Sequence, residues 1–221
     1  KRLKYFCIVN TSNVDKKSKD KEPSIKLCNY TDVYNNDYIT ENLNFMEATA
    51  SIDQIKKFTL HEGDTIITKD SETAEDIGIS TYVPKDLPGI ICGYHLSIIR
   101  PRPNIHGLFV KYLFDSNYIK ALFSISANGL TRVGLSQYAI NNIKLPLPPK
   151  EEQIAIATFL EQKIYIIDNL IIETENLIQL IKEKKEAVIS NVITKGLNSS
   201  TQMKDSRVEW LGPIPKHWNL S

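Results

Sequence analysis

One long apolar periodicity constrains this chain more than any other feature. Alternating steps of three and four residues pick out Ala157, Leu160, Ile164, Ile167, Ile171, Thr174, Ile178, Ile181, Lys185, Val188 and Val192. Nine of these eleven positions are apolar, which is a heptad seam kept over about six repeats. The spacing predicts a helix from Glu151 to about Thr194. Pro148 and Pro149 can enter its first turn at most, Glu151 and Glu152 suit its positive N-terminal end, and Gly196 ends it. At 1.5 Å per residue, about 44 residues span roughly 66 Å. A domain built from the preceding residues is roughly 30 Å across. Such a helix needs a partner beyond its own domain.

A second stripe, Ile156, Phe159, Ile166, Leu170, Leu177 and Leu180, lies beside the first. The apolar face is therefore broader than a two-helix seam requires. Packing of this face on the front domain is the plainer alternative, and length argues against it. A partner helix along one stripe and other subunits along the second is the expected arrangement. Thr174 and Lys185 are polar breaks that set register. The dimerisation seam is then Leu160, Ile164, Ile167, Ile171, Thr174, Ile178, Ile181 and Val188.

The residues before this helix read as a mixed α/β unit. Short β-like runs occur at "YFCIV", "SIKLC", "DTIIT", "ISTYV" and "YHLSIIRP", separated by turn or charged segments such as "NVDKKSKDKEP" and "KDLPG". The segment "HGLFVKYLFDSNYIKALFSIS" has helical apolar spacing at Phe109, Leu113, Ile119 and Phe123, with breaks between. Strands mixed irregularly with helices favour an α+β class over a doubly wound nucleotide-binding fold. Hydrophobic residues make up 42% of the 221, enough for a real core. There is no apolar run of about 18 residues, and "KRLKYFCIVNTSN" lacks a signal peptide's apolar stretch, so no membrane association is expected. Three widely spaced cysteines (Cys7, Cys28 and Cys92) suggest reduced thiols in a cytoplasm.

Net charge is +1, but it is unevenly spread. Residues 1–150 hold 19 Lys+Arg against 16 Asp+Glu, and residues 151–196 hold 5 against 8. A mildly basic front followed by an acidic helix permits nucleic-acid binding through a local patch without demanding it.

Motifs of catalysis are weak. "CGYH" (Cys92–His95) resembles half a zinc site, but a second ligand pair is missing. As a hydrolase dyad, Cys92 and His95 would share one β run and point apart. In "ITKDSETAED", Asp64 just upstream, Lys69, Asp70 and Glu72 superficially suit a metal-dependent nuclease, yet no second strand carries Glu-x-Lys. Neither an Asn-Pro-Pro-Tyr or Asp-Pro-Pro-Tyr methylase motif, nor a GxxxxGK[ST] loop, nor a GxGxxG turn is present. No metal and no cofactor are expected on this chain.

"NGLTRVGLSQYAINNIKLPLPPKEEQ", followed by the heptad helix, resembles the end of a target recognition domain in type I restriction–modification specificity subunits, where it runs into a helical spacer. "EGDTIITKDSETAEDIGISTYV" and "CGYHLSIIRPRP" resemble blocks inside one subgroup of those domains. "KDSRVEWLGPIPKHWNL" is similar to the segment that opens each recognition repeat. That segment usually leads into something like "KRLKYF", where this chain starts, so the chain resembles one repeat whose opening piece stands at the other end, or half of a longer subunit. The resemblance implies a recognition domain over 1–148, a coiled-coil spacer and dimerisation helix over 149–196, and a linker with the next opening segment over 197–221. Read by itself, the tail offers Trp210, Leu211, Ile214 and Trp218 as apolar pegs seeking a groove, or else a disordered terminus.

The resemblance also implies a division of labour. The specificity subunit reads double-stranded DNA and is not an enzyme. Separate methyltransferase subunits bind S-adenosylmethionine and methylate adenine, and separate restriction subunits cut. A half-length subunit is expected to act as a homodimer. The two rival readings are a metal-dependent nuclease or methylase and a purely structural coiled-coil adaptor.

On this reading the polar loops become candidates for DNA contact. Lys16, Lys17 and Lys19 belong to a charged loop that supplies sequence-independent affinity for the phosphate backbone. Lys69 suits phosphate, Ser71 and Thr73 suit bases or phosphates, and the Glu72 carboxylate can accept from cytosine N4. Tyr94 and His95 follow in the neighbouring resembling block. "NGLTRVGLS" offers Asn128, Thr131 and Arg132. Gly129 there is small enough for close backbone approach, and Arg132 is the strongest single candidate because its guanidinium can fork onto guanine. A surface turn before the last strand is the plainer alternative for this loop.

Overall fold

Thr65, Ile66, Ile67 and Thr68 form a strand buried at every position. This short strand is the centre of the fold. The computed structural model of the protein describes residues 1–129 and 132–219. Along the chain run β1 (Cys7–Thr11), β2 (Ser24–Cys28), α1 (Tyr30–Tyr34), β3 (Met46–Thr49), α2 (Ile52–Phe58), β4 (Thr59–Leu60), β5 (Thr65–Thr68), β6 (Asp70–Ser71), β7 (Ser80–Tyr82), β8 (Leu87–Cys92) and β9 (Leu96–Pro101). There follow α3 (Gly107–Asp115), α4 (Asn117–Ser126), β10 (Val133–Gly134), α5 (Gln137–Asn142), α6 (Lys150–Lys195), β11 (Met203–Asp205) and β12 (Pro213–Pro215).

Residues 1–160 make one unit. Its first sheet has the order β1-β9-β5-β7 and is antiparallel throughout, with Ile66 opposite Ile98. Alternate residues of a strand point to opposite faces, and here both faces are apolar. Ile66 and Ile98 join one core with Ile25, Leu27, Leu60 and Ile90. These last four come from the second sheet, ordered β3-β2-β8-β4, in which only the β2–β8 pair is parallel. Ile67 and Ile99 point the other way, into a core with Val110, Phe114, Ile119 and Phe123 of α3 and α4. The rings of Phe114 and Phe123 stack at 5.5 Å there.

The expected α+β class holds, with a long helix after the mixed unit. Each of the five anticipated β runs overlaps a strand. "KDLPG" differs, because Leu87 begins β8 and three of the five residues of that supposed turn are sheet. The anticipated helical stretch breaks between α3 and α4 at Ser116, whose hydroxyl accepts the Ile119 N–H and caps α4.

Helix α6 is one residue longer at each end than the periodicity implied. Its first turns belong to the first unit. Ala157 is buried against Leu108 and Phe109, and Gln153 is 2% exposed. The front domain therefore covers the start of the seam.

The second unit runs from Glu161 to the end of the described chain. Every residue from Glu161 to Ser190 is exposed, including Ile171 at 50% and Ile178 at 48%. Gly196, at φ +77, closes the helix. Beyond it β11 and β12 pair antiparallel, with Lys204 opposite Ile214. Trp218 and Pro215 lie beside Gly196. The four supposed pegs do not behave alike, since Ile214 is buried inside this hairpin while Trp210 is 85% exposed. Among the described residues, no helix is long and apolar enough to cross a membrane.

Candidate nucleic-acid interface

The short pairing of β6 with β10 decides what the site contains. Ser71 stands opposite Val133 and Asp70 opposite Gly134. Two segments more than sixty residues apart are thus joined, and Arg132 is carried beside the Asp70–Glu72 strand end. The backbone N–H of Asn128 donates to the Gly134 carbonyl at 3.1 Å and the reverse bond is 2.9 Å, closing the loop between them. Gly129 sits at φ +149, and a Cβ there would lie 1.9 Å from the Arg132 carbonyl oxygen. Its smallness therefore serves an approach of the chain to itself.

These segments line a cleft of about 580 Å³ together with Lys16, Tyr30, Thr31, Tyr34, Asp76 and His95. Five of the twelve candidates drawn from the sequence, Lys16, Ser71, Glu72, His95 and Arg132, meet there. Tyr30, Thr31 and Tyr34 were missed. They belong to α1, a five-residue helix with an Asn29–Asp32 capping box, too short for hydrophobic periodicity to detect. The Tyr30 and Tyr34 rings stack at 5.7 Å, and this i, i+4 pair of tyrosines was the one available signal.

The floor of the cleft is a network around Asp70. Lys69 Nζ lies 2.5 Å from Asp70 Oδ2, and His95 Nδ1 lies 2.8 Å from the same oxygen. Burial opposes ionisation of Asp70, but the hydrogen bonds from Lys69 and His95 outweigh it and hold the carboxyl below its ordinary value. Lys69 Nζ also sits 4.9 Å above the Tyr94 ring, which meets the His95 ring edge-on at 4.2 Å. The Lys69 side chain is only 11% exposed, so its charge is committed within the protein.

Four further candidates, Lys17, Lys19, Thr73 and Asn128, do not line this cleft. Thr73 Oγ1 donates to Asp76 at 3.0 Å, and the Tyr34 hydroxyl donates to the other Asp76 oxygen at 3.4 Å. Asn128 Nδ2 donates to the Ser126 carbonyl. Lys17 is exposed, and Lys19 pairs with Glu22 at 3.8 Å. Thr131 lies outside the described residues.

The catalytic alternatives lose their geometry. Asp64 is fully buried and accepts from Arg100 Nε at 2.8 Å and Nη2 at 2.6 Å, so it is a structural ion pair. Cys92 closes β8 while His95 occupies the following turn at φ +74. The two do not share one β run, which corrects the sequence reading. Burial raises the Cys92 thiol well above its usual range and pushes Cys7 up to about 12, which suits inert core thiols. Among the described residues, no group of three or more His, Cys, Asp or Glu could hold a metal.

A mixed α/β domain with a polar, cation-bearing cleft, carried on one long helix, defines the class of this protein. Residues 1–183 match the type I restriction modification DNA specificity domain, and the chain belongs to that family. The family is that of a DNA specificity component. The chain is 29% identical over 171 residues to the putative type I restriction enzyme MjaX specificity subunit of Methanocaldococcus jannaschii, covering 76% of this chain and 38% of that protein. It is 27% identical over 166 residues to the MjaVIII specificity subunit of the same organism, covering 75% and 35%. The chain thus spans little more than a third of the length of these curated relatives.

Two solved structures share the fold. One, described as the structural basis underlying complex assembly and conformational transition of the type I R-M system, superposes with a TM-score of 0.67 at 17% identity. That match covers 89% of this chain and 45% of that one. The HsdS subunit from Thermoanaerobacter tengcongensis superposes with a TM-score of 0.50, also at 17% identity, over 76% and 37% of the two chains.

Proposed function

We propose that this chain reads one half-site of a bipartite duplex target through the cleft between α1, β6 and the Arg132 loop. The observation that carries this reading is convergence. Lys16, Ser71, Glu72, His95 and Arg132 stem from four separate segments and line one cleft, in a chain of the DNA specificity family. Lys16 and Arg132 supply donors for phosphate or guanine, while hydroxyls and His95 supply shorter-range hydrogen bonds to bases.

Residues 149–196 act as the spacer and dimerisation helix, and residues 1–148 as the recognition domain. Residues 197–221 act as a linker and opening segment of a following repeat. The exposed seam from Ile164 to Val188 supports this role, because an apolar face of that extent marks an interaction surface. A second copy occupies the seam in the isolated chain. Methyltransferase subunits, which carry S-adenosylmethionine, and restriction subunits assemble on the same helix in the cytoplasm. The chain itself binds no cofactor.

Selection of bound duplexes from a random pool, followed by gel shifts with the purified chain, tests the reading. A defined half-site should emerge and survive raised salt better than bulk DNA does. Recovery of no sequence at any salt concentration would favour a purely structural adaptor, and methylation or cleavage by the chain alone would favour an enzyme.

A further inference from the structure

We propose that His95 discriminates between bases in the cleft and that Asp70 is its positioning residue, so that His95 Nε2 accepts a hydrogen bond from an exocyclic amino group in the DNA major groove. The proposal rests on the reading of this cleft as the DNA-reading surface.

The argument starts from the two ring nitrogens. Nδ1 is 2.8 Å from Asp70 Oδ2. An ionised carboxylate can only accept, so the ring proton is on Nδ1. Nε2 is then the acceptor of the neutral ring, and the His95 side chain is 29% exposed where it lines the cleft. The ring is not free to turn. Tyr94 packs edge-on against it at 4.2 Å, and the His95 carbonyl oxygen accepts the Lys69 N–H at 2.9 Å. His95 adopts φ +74, a left-handed conformation that a residue with a side chain rarely holds. Strain of this kind persists where surrounding structure over-determines it, and it clusters at functional sites. Asp70 is equally fixed, since Lys69 holds the same oxygen and a Cβ at Gly134 would lie 2.8 Å from the other.

The neighbouring groups explain why this atom matters. Lys16 and Arg132 can only donate. The Asp76 oxygens already accept from Thr73 and Tyr34. Glu72 carries a full negative charge that phosphate repels. Among the described residues lining the cleft, His95 Nε2 is the uncharged nitrogen acceptor. In the major groove the donors are the amino groups of adenine N6 and cytosine N4. An aimed neutral acceptor therefore selects an amino-bearing base over guanine or thymine at its position.

The test uses the full chain and its selected duplex. Each adenine in turn is replaced by purine, which lacks the N6 amine, and each cytosine by pyrimidin-2-one, which lacks the N4 amine. Wild type should lose about tenfold or more in affinity at one position, and the analogue responsible tells adenine from cytosine. His95→Ala should bind native and analogue duplexes equally. Asp70→Leu removes both an anion from the cleft and the acceptor for Nδ1–H, so a merely electrostatic role raises affinity for all DNA and leaves the discrimination intact. The positioning role instead abolishes the discrimination at that same position. If His95→Ala fails to fold, His95→Phe keeps an aromatic contact for Tyr94 without an acceptor and should be equally indiscriminate. Wild type indifferent to every amine deletion, or discrimination that persists in the His95 variants, would overturn the proposal for His95. Undiminished discrimination in Asp70→Leu would overturn the role of Asp70. A wild type with no preference for any duplex would overturn the DNA-reading assignment as well, and so is distinguishable from the other failures.

Discussion

The side-chain carbonyl of Gln153 accepts the backbone N–H of His106 at 3.0 Å, joining the start of the long helix to the start of α3. The same side chain donates to the Pro148 carbonyl at 2.9 Å. The Gln153 backbone N–H reaches the Pro149 carbonyl at 3.0 Å. The proline-rich stretch before α6 is therefore held by a buried amide as well as by its own stiffness. Gln153→Ala leaves the His106 N–H and the Pro148 carbonyl without that partner. The expected loss is roughly 1–3 kcal/mol of stability, read as a lower urea midpoint. An unchanged midpoint would remove Gln153 from the joint.

Arg132 and the lysines of the Lys16 loop should differ in kind. Arg132→Ala should weaken cognate binding by roughly 1–3 kcal/mol if the guanidinium forks onto a base. Lys16→Ala with Lys17→Ala should instead lower affinity for every sequence and flatten the salt slope. Gel shifts at several salt concentrations separate the two, and equal cognate affinity of wild type and Arg132→Ala would reject the assignment.

Legibility in the sequence followed the range of the pattern. Helix α6 was readable almost to the residue, because its heptad signal is repeated many times and needs no tertiary partner to be seen. Strands such as β5 were readable as short apolar runs. Their burial on both faces was not, since that depends on where the second sheet and α3 lie. In the cleft, Arg132 and Ser71 stood out by residue type, but their meeting depends on the two-residue β6–β10 pairing, which no local preference encodes. Asp70 was weighed as a metal ligand, and its place between Lys69 and His95 became visible only in three dimensions.

Acid should report on the Asp70 network. The carboxyl is held below its ordinary value in the folded state. A depressed folded value contributes stability that is present above the unfolded value, about 3.9 for aspartate. That contribution is lost as pH falls through the folded value. Asp70→Asn should therefore be less stable than wild type near neutrality, with the gap shrinking below about pH 4. Urea titrations across that range check this, and a gap that widens in acid contradicts it.

Assembly should depend on the exposed seam. Ile171 and Ile178 are each about half exposed, and a partner helix would remove them from water. Ile171→Asp with Ile178→Asp places two charges in that seam and should give monomers in sedimentation analysis while leaving the first unit folded. A wild type that sediments as a monomer at micromolar concentration would contradict a self-associating helix.

If the joint at Gln153 and the prolines fixes the recognition domain to the first turns of α6, helix length should set the distance between the two half-sites read. A two-fold antiparallel dimer would then recognise an inverted repeat with an unread centre. Inserting one heptad near Thr174 keeps the seam in phase and lengthens the helix by about 10 Å. At about 3.4 Å per base pair, this equals close to three additional spacer pairs, with the half-site sequences unchanged. Gln153→Ala in the same background should keep the longer mean spacing but accept a wider range of spacers, because the joint is looser. Selection from duplex pools with randomised spacer length measures both. An insertion variant that dimerises normally yet keeps the original spacing would show that α6 is not the ruler.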